Sequence, residues 1–141
     1  MLKFTKEVDA GINICAILAK NNNRQLQAEV LIAKSGLTKP FFLKIVYPLI
    51  KNNIISNSRG KDGGYRLKKK PADISIQSIV RCYGDVEIID CMIEKRCRIR
   101  RNCEAISLFS AIRNNIINTL KRTTIKSLLS NSKRRVRISP R

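Results

Sequence analysis

The stretch Ser58-Arg59-Gly60-Lys61-Asp62-Gly63-Gly64-Tyr65-Arg66-Leu67 decides the reading of this chain. Asp-Gly with further glycine, set between β-like runs, is a hairpin signal, because a tight connection needs residues that accept positive φ. The flanking runs are Ile54-Ile55-Ser56-Asn57-Ser58-Arg59 and Gly64-Tyr65-Arg66-Leu67. Two helical patterns lie just upstream. The first covers Ala28 to Ser35, with Val30, Leu31 and Ala33 placed inward, and stops at Gly36, a usual helix C-terminal signal. Thr38 then reads as an N-cap, with Pro40 in the first turn where a missing N–H is harmless. The second helix runs to about Asn52 on a stripe of Phe42, Ile45, Val46, Leu49 and Ile50. Lys39, Phe41 and Lys44 are left facing outward, and Pro48 should kink the helix by removing an N–H. Helix, glycine turn, helix is the helix-turn-helix pattern, and a hairpin directly after it is a wing.

Working outward, Thr5 to Lys20 reads as a helix with Val8, Ile12, Cys15, Ala16 and Ala19 on one face. Cys15 is thereby a small buried hydrophobe rather than a ligand. After Lys68-Lys69-Lys70-Pro71 comes a helix over Ser75 to Tyr83, with Ile76, Ile79 and Val80 inward. Cys91 to Cys103 has no clean period and reads as a loop. Glu104 to Arg122 is helical again, on a stripe of Ile106, Phe109, Ile112, Ile116 and Leu120. A single small domain cannot cover such a stripe at its edge, whereas a second copy can by symmetric packing. The fold class is therefore mainly α with a small β-wing: a winged helix-turn-helix plus a long dimerisation helix. The division is 1–83 for the DNA-binding region, 84–103 for the cysteine loop, 104–130 for the dimerisation helix region and 131–141 for a basic disordered tail.

Composition narrows the function. Lys and Arg total 29 against 10 acidic residues, a formal net charge of +19. A polyanion is the natural neutraliser, nucleic acid first and an anionic membrane second. No segment reads as a signal peptide and no run of about 18 apolar residues exists, so a cytoplasmic location with no membrane partner is expected. Thiols stay reduced there, which makes five cysteines candidates for metal or redox chemistry. Histidine is absent, which removes His bases and His zinc ligands. No Ser/His, Cys/His or paired-carboxylate arrangement supports an enzyme.

The candidate DNA reader is the outward edge of the second helix, Thr38, Lys39, Phe41 and Lys44, with Ser58, Arg59, Lys61 and Arg66 from the wing. Hydroxyl and ammonium groups contact bases or phosphates, an aromatic edge can meet a thymine methyl, and a wing arginine suits a narrow minor groove. The competing reading of these charges is a solvated basic face. The second constellation is Cys91-x5-Cys97-x5-Cys103, in a loop that also carries Lys95, Arg96, Arg98, Arg100 and Arg101. Structural zinc usually uses short C-x2–4-C pairs, missing here. Three spread thiolates suit a polynuclear iron–sulfur cluster, with three incidental thiols as the bland alternative.

The chain resembles the Rrf-two family of winged-helix regulators, the group of IscR, NsrR and RirA types. The resemblance rests on Phe4-Thr5-Lys6-Glu7-Val8-Asp9, Phe42-Leu43-Lys44, the wing stretch Ser58 to Leu67, Ile74 to Arg81, the three-cysteine loop and Thr123 to Leu129. It implies a homodimer, binding of a double-stranded operator through helix and wing, and cluster ligation by Cys91, Cys97 and Cys103. The IscR type carries a 2Fe–2S cluster and a histidine where this chain has Ile106. The NsrR type senses nitric oxide, commonly with a 4Fe–4S cluster and an aspartate where this chain has Asp9, and is the nearer in ligand pattern. Asp9, from the opposite subunit, is thus the candidate fourth ligand ahead of Glu7, Asp90, Glu104 and Cys82; the bland reading is a solvated first-turn acid. The function expected is transcription regulation, by repression, gated by a cluster that senses nitric oxide, redox or iron status. The alternatives are a cluster-free regulator of the same fold responding to thiol oxidation or a small molecule, and an architectural nucleoid protein binding by charge alone.

Overall fold

The structure is a computed structural model that describes residues 4–86 and 102–131. Helix α1 (Lys6–Lys20) is started by Thr5, whose hydroxyl accepts from the Val8 N–H. Its buried face is Val8, Gly11, Ile14, Cys15 and Leu18, rotated from the predicted stripe. Ile12 and Ala19 are half-buried at the rim, while Ile14 and Leu18 are fully enclosed. The period was legible but its phase was not, since α1 is wrapped by other elements on more than one side.

Helix α2 (Ala28–Ser35) ends at Gly36, which takes φ 69° and returns its N–H to the Ile32 carbonyl. Only Leu31 is buried in α2; Val30 and Ala33, predicted inward, are exposed. Helix α3 (Lys39–Lys51) buries Phe42, Ile45, Val46 and Leu49 as the periodicity requires, and continues helically through Pro48. Thr38 stands at its N-cap without a side-chain capping bond.

Strands β1 (Ile55–Ser58) and β2 (Gly64–Leu67) pair antiparallel, with Ile55 opposite Leu67 and Ser58 opposite Gly64. An isolated two-stranded hairpin is marginal in water. This one is held by the α1–α2 linker. Leu26 forms a bridge with Tyr65, through N–H···O bonds of 2.9 and 2.7 Å. Asn23, in the left-handed region at φ 55°, donates to the Leu67 carbonyl and accepts from the Leu67 N–H at 2.7 Å. Gln25 donates to the Ser58 hydroxyl, and Gln27 donates to the Lys61 carbonyl at 3.3 Å.

A short 3-10 turn (Pro71–Asp73) leads to helix α4 (Ile76–Val80), capped by Ser75. Helix α5 (Glu104–Arg122) has the predicted bounds. The chain then turns at Thr123-Thr124 into helix α6 (Ile125–Asn131). Backbone bonds from Ile76 N–H to Thr123 and from Ile125 N–H to Ile74 seat this return against the start of α4. Ile125 is fully buried, and α6 packs on α1, so the end of the described chain completes the core around the first helix.

Helix α5 buries none of its residues within the chain. Ile116, Ile117 and Leu120 rest on the core, while nearer its start Leu108 is 59% and Ile112 38% exposed. Of the predicted stripe, Ile116 and Leu120 rest on this chain's core, Ile106 and Phe109 are half-buried, and Ile112 is exposed beside Leu108.

Candidate nucleic-acid interface and cysteine region

The wing and α3 form one surface because α3 runs directly into β1 and packs against it. The Phe42 and Tyr65 rings meet edge to face at 5.4 Å, joining the buried side of α3 to β2. On the outer side, Thr38, Lys39, Lys44, Ser58, Arg59, Lys61 and Arg66 are all exposed, as the sequence implies. Phe41 departs from expectation. It is half-buried and packs against the core, with the Lys44 ammonium 6.0 Å above its ring. Its place on the outer edge goes to Leu43 and Tyr47, which the periodicity did not single out.

Lys44 also has an ion-pair partner. Its ammonium donates to Glu7 of α1 at 2.8 Å. That bond holds the Glu7 carboxyl below the usual carboxylate range. The Lys44 side chain is 64% exposed, so the pair is weak in water and a phosphate can displace it. Ser58 likewise has its hydroxyl engaged by Gln25, which fixes it as part of the wing's support.

Tyr83 links these parts. Its hydroxyl donates to the Ile45 carbonyl in α3 at 2.8 Å, and its ring lies over Gly11 of α1. A Cβ at Gly11 would sit 2.6 Å from the Tyr83 oxygen. A glycine in mid-helix was the one sequence signal for this close approach.

Among the cysteine candidates, Cys103 is described and Cys91 and Cys97 lie outside the described residues. Cys103 is half-buried at the N-cap of α5, its carbonyl accepting from the Ile106 N–H at 3.2 Å. The chain entering the cysteine stretch is pinned to the same helix, since Arg113 donates to the Val86 carbonyl at 2.8 Å. Asp9 is exposed in the first turn of α1 and accepts from Asn13 at 3.5 Å. Among the described residues no three Cys, Asp or Glu side chains are gathered closely enough to hold a metal ion. Cys15 is fully buried, as predicted, and burial pushes its thiol far above the ordinary range. Cys82 donates to the Ser78 carbonyl at 3.3 Å, and partial burial pushes its thiol up to about 11.

The family of iron-dependent transcriptional regulators known as Rrf2 matches residues 4–131. The chain belongs to the Rrf2 family. It is a transcriptional regulator, and its relatives are regulators rather than enzymes. The regulator NsrR of Bacillus licheniformis is 23% identical over 134 residues, covering 92% of this chain and 94% of that protein. The structure of T. potens IscR superposes with a TM-score of 0.77 at 19% identity, covering 99% of this chain and 94% of that one. CymR, the global cysteine regulator of B. subtilis, superposes at 0.72 with 24% identity, covering 92% and 98%. These superpositions establish the winged-helix fold. Among the described residues no helix is long and apolar enough to cross a membrane.

Proposed function

We propose that this Rrf2 regulator is a homodimeric, operator-binding repressor whose DNA affinity is set by an iron–sulfur cluster on Cys91, Cys97 and Cys103. The observation that carries the DNA-binding part is the exposed basic surface shared by α3 and a wing anchored at Leu26, Asn23 and Gln27. Lys39 and Lys44 stand on α3, and Arg59, Lys61 and Arg66 stand on the wing. The α3 groups enter the major groove while Arg59, at the wing tip, meets the adjacent minor groove.

The uncovered apolar start of α5, around Leu108 and Ile112, supports a symmetric dimer. Cys103 stands at the N-cap position of that same helix and Val86 is tied to it. A change in the cysteine region therefore bears on the element that would set the spacing of two reading helices.

The donor set fits a cluster by its chemistry: soft thiolates, no histidine and strong surrounding positive charge. A cluster held by Cys91, Cys97 and Cys103 would supply iron reactive toward nitric oxide or oxygen. Nuclearity is assigned as 4Fe–4S over 2Fe–2S, with Asp9 of the opposite subunit as fourth ligand. Its exposure leaves it free to reach a partner chain.

Anaerobic purification followed by iron and sulfide counts and nitric oxide titration tests this reading. Brown protein whose operator affinity falls on nitrosylation supports it. Colourless protein with the same operator affinity supports a cluster-free regulator responding to thiol oxidation. Asp9→Ala is expected to keep the cluster but change its absorbance and its rate with nitric oxide. A variant matching the parent in both removes Asp9 from the ligand set.

Lys44 and Arg59 are expected to act differently. Lys44→Ala loses one phosphate contact, weakens all duplexes evenly and flattens the salt slope by about one unit. Arg59→Ala loses groove readout, about 1–3 kcal/mol on the operator and less on random DNA. Titrations at several salt concentrations with operator and random duplexes separate the two. Unchanged operator affinity in both variants would sink the docking.

A further inference from the structure

Two of the large apolar side chains most open to solvent lie next to each other on the helix proposed to read DNA. Leu43 is 48% and Tyr47 68% exposed. Both are on α3, four residues apart, and therefore on one face. Continuing that four-residue step in both directions gives Lys39 and Lys51, both exposed. The outer stripe of α3 is thus Lys39, Leu43, Tyr47, Lys51: two apolar side chains between two ammonium groups.

Packing inside this chain does not explain the stripe. The core side of α3 is already filled by Phe42, Ile45, Val46 and Leu49. An apolar pair on the most exposed line of a helix costs solvation unless a partner covers it. The flanking charge argues for the partner's chemistry. At a 1.5 Å rise per residue, Lys39 and Lys51 stand about 18 Å apart. The major groove is about 12 Å wide, so lysines at that separation reach the two phosphate backbones while the residues between them face the groove floor. The wing lysine and arginines extend the same positive surface beyond the helix. A protein partner for Leu43 and Tyr47 would have to carry its own acidic rim at both ends; duplex DNA has one by construction.

We infer that Leu43 and Tyr47 are the specificity-determining residues of this regulator, and that they select thymine by packing on its 5-methyl group. Thymine is the base that offers an apolar group in the major groove. The two side chains take the role that an outward Phe41 would have filled; its ring is turned toward the core and lies beneath Lys44. This assignment rests on the operator-reading role of α3 proposed above. It makes the operator's thymines at the reading-helix positions the source of discrimination by α3, beside the groove contact of Arg59, with the lysines supplying affinity without sequence preference.

The test uses the full chain and an operator selected from random duplexes. Leu43→Ala and Tyr47→Ala are measured beside Tyr47→Phe, with Arg59→Ala as the docking control. In parallel, deoxyuridine replaces thymine position by position, which removes only the methyl. Each apolar variant is expected to lose about fourfold or more in operator affinity per methyl contact. Random-duplex affinity and the salt slope should stay at the parent values. One or two deoxyuridine positions should reproduce the loss with the parent and add nothing further to Leu43→Ala or Tyr47→Ala. Tyr47→Phe should behave as the parent. Equal losses on operator and random DNA, full additivity of deoxyuridine with both variants, or no loss at all overturns the inference. If Arg59→Ala weakens operator binding while the apolar variants do not, the docking stands and the stripe is wrong. A parent that shows no operator preference removes both.

Discussion

Cys97→Ala is expected to purify without iron, whereas Cys82→Ala and Cys15→Ala keep the full iron content of the parent. Ligation needs thiolate, and burial works against it at Cys15 and Cys82. Cys15 is enclosed by the core between α1 and its neighbours, and desolvation penalises its charged form. Cys82 is half-buried, spends its proton on the Ser78 carbonyl and has its thiol raised to about 11. Both are neutral thiols at pH 7, because a raised pKa keeps the proton on. Cys91, Cys97 and Cys103 share a stretch with five Lys and Arg residues, whose positive charge would offset the negative charge of a cluster. Losing one of three thiolates removes a soft protein ligand, and the chain has no histidine to stand in for it. The effect should be close to all-or-none in iron per chain. Iron retained by Cys97→Ala together with iron lost from Cys82→Ala reverses the assignment. Cys15→Ala carries a separate expectation, a stability loss of about 1 kcal/mol from a small core cavity, with iron unchanged.

The wing, the reading helix and the bounds of α5 were legible because each rests on local chemistry. Gly60 to Gly64 needs a tight connection, Phe42 to Leu49 repeats at the helical period, and Glu104 to Arg122 has no breaker inside it. What was not legible is long-range. Phe41 and Phe42 are adjacent, and periodicity alone leaves Phe41 on the outer edge, yet its ring packs against the core with the Lys44 ammonium above it. Val30 and Ala33 look like core residues in a short window, yet α2 buries Leu31, with Ala28 and Ile32 half-buried beside it. The linker amides Asn23, Gln25 and Gln27 read as loop polarity, and only the fold shows that they hold the wing. Glu7 had no sequence signal as the partner of Lys44, since the two are 37 residues apart. The candidate metal site divides the same way: cysteine spacing is visible in sequence, but Cys103 and Asp9 are the described members and they stand on different helices.

Gly64→Ala is expected to cost about 3 kcal/mol or more of stability and to abolish operator binding, while Gly60→Ala costs about 1–2 kcal/mol and leaves binding largely intact. Both glycines have positive φ, 141° at Gly64 and 105° at Gly60, so both substitutions carry backbone strain. They differ in what a Cβ would meet. At Gly60 nothing lies within 4 Å, so strain is the whole cost. At Gly64 a Cβ would stand 2.4 Å from the Leu26 carbonyl oxygen and 2.7 Å from its carbon, and backbone cannot swing aside as a side-chain tip can. Relief requires the linker to move off β2. That motion breaks the Leu26–Tyr65 bridge, whose two bonds tie the wing to the body of the domain. Tyr65 also carries the ring that meets Phe42 beneath α3. The displacement is therefore felt by the wing arginines and the reading helix together, and the geometry that lets them bind one duplex is lost. With a total stability of order 5–15 kcal/mol, the variant should still fold at low temperature. Urea unfolding gives the stability difference, and titration of operator DNA under conditions where both variants are folded gives the binding difference. If Gly64→Ala and Gly60→Ala prove equal in both measurements, close approach of the linker is not what holds the wing, and the three linker amides must carry it instead.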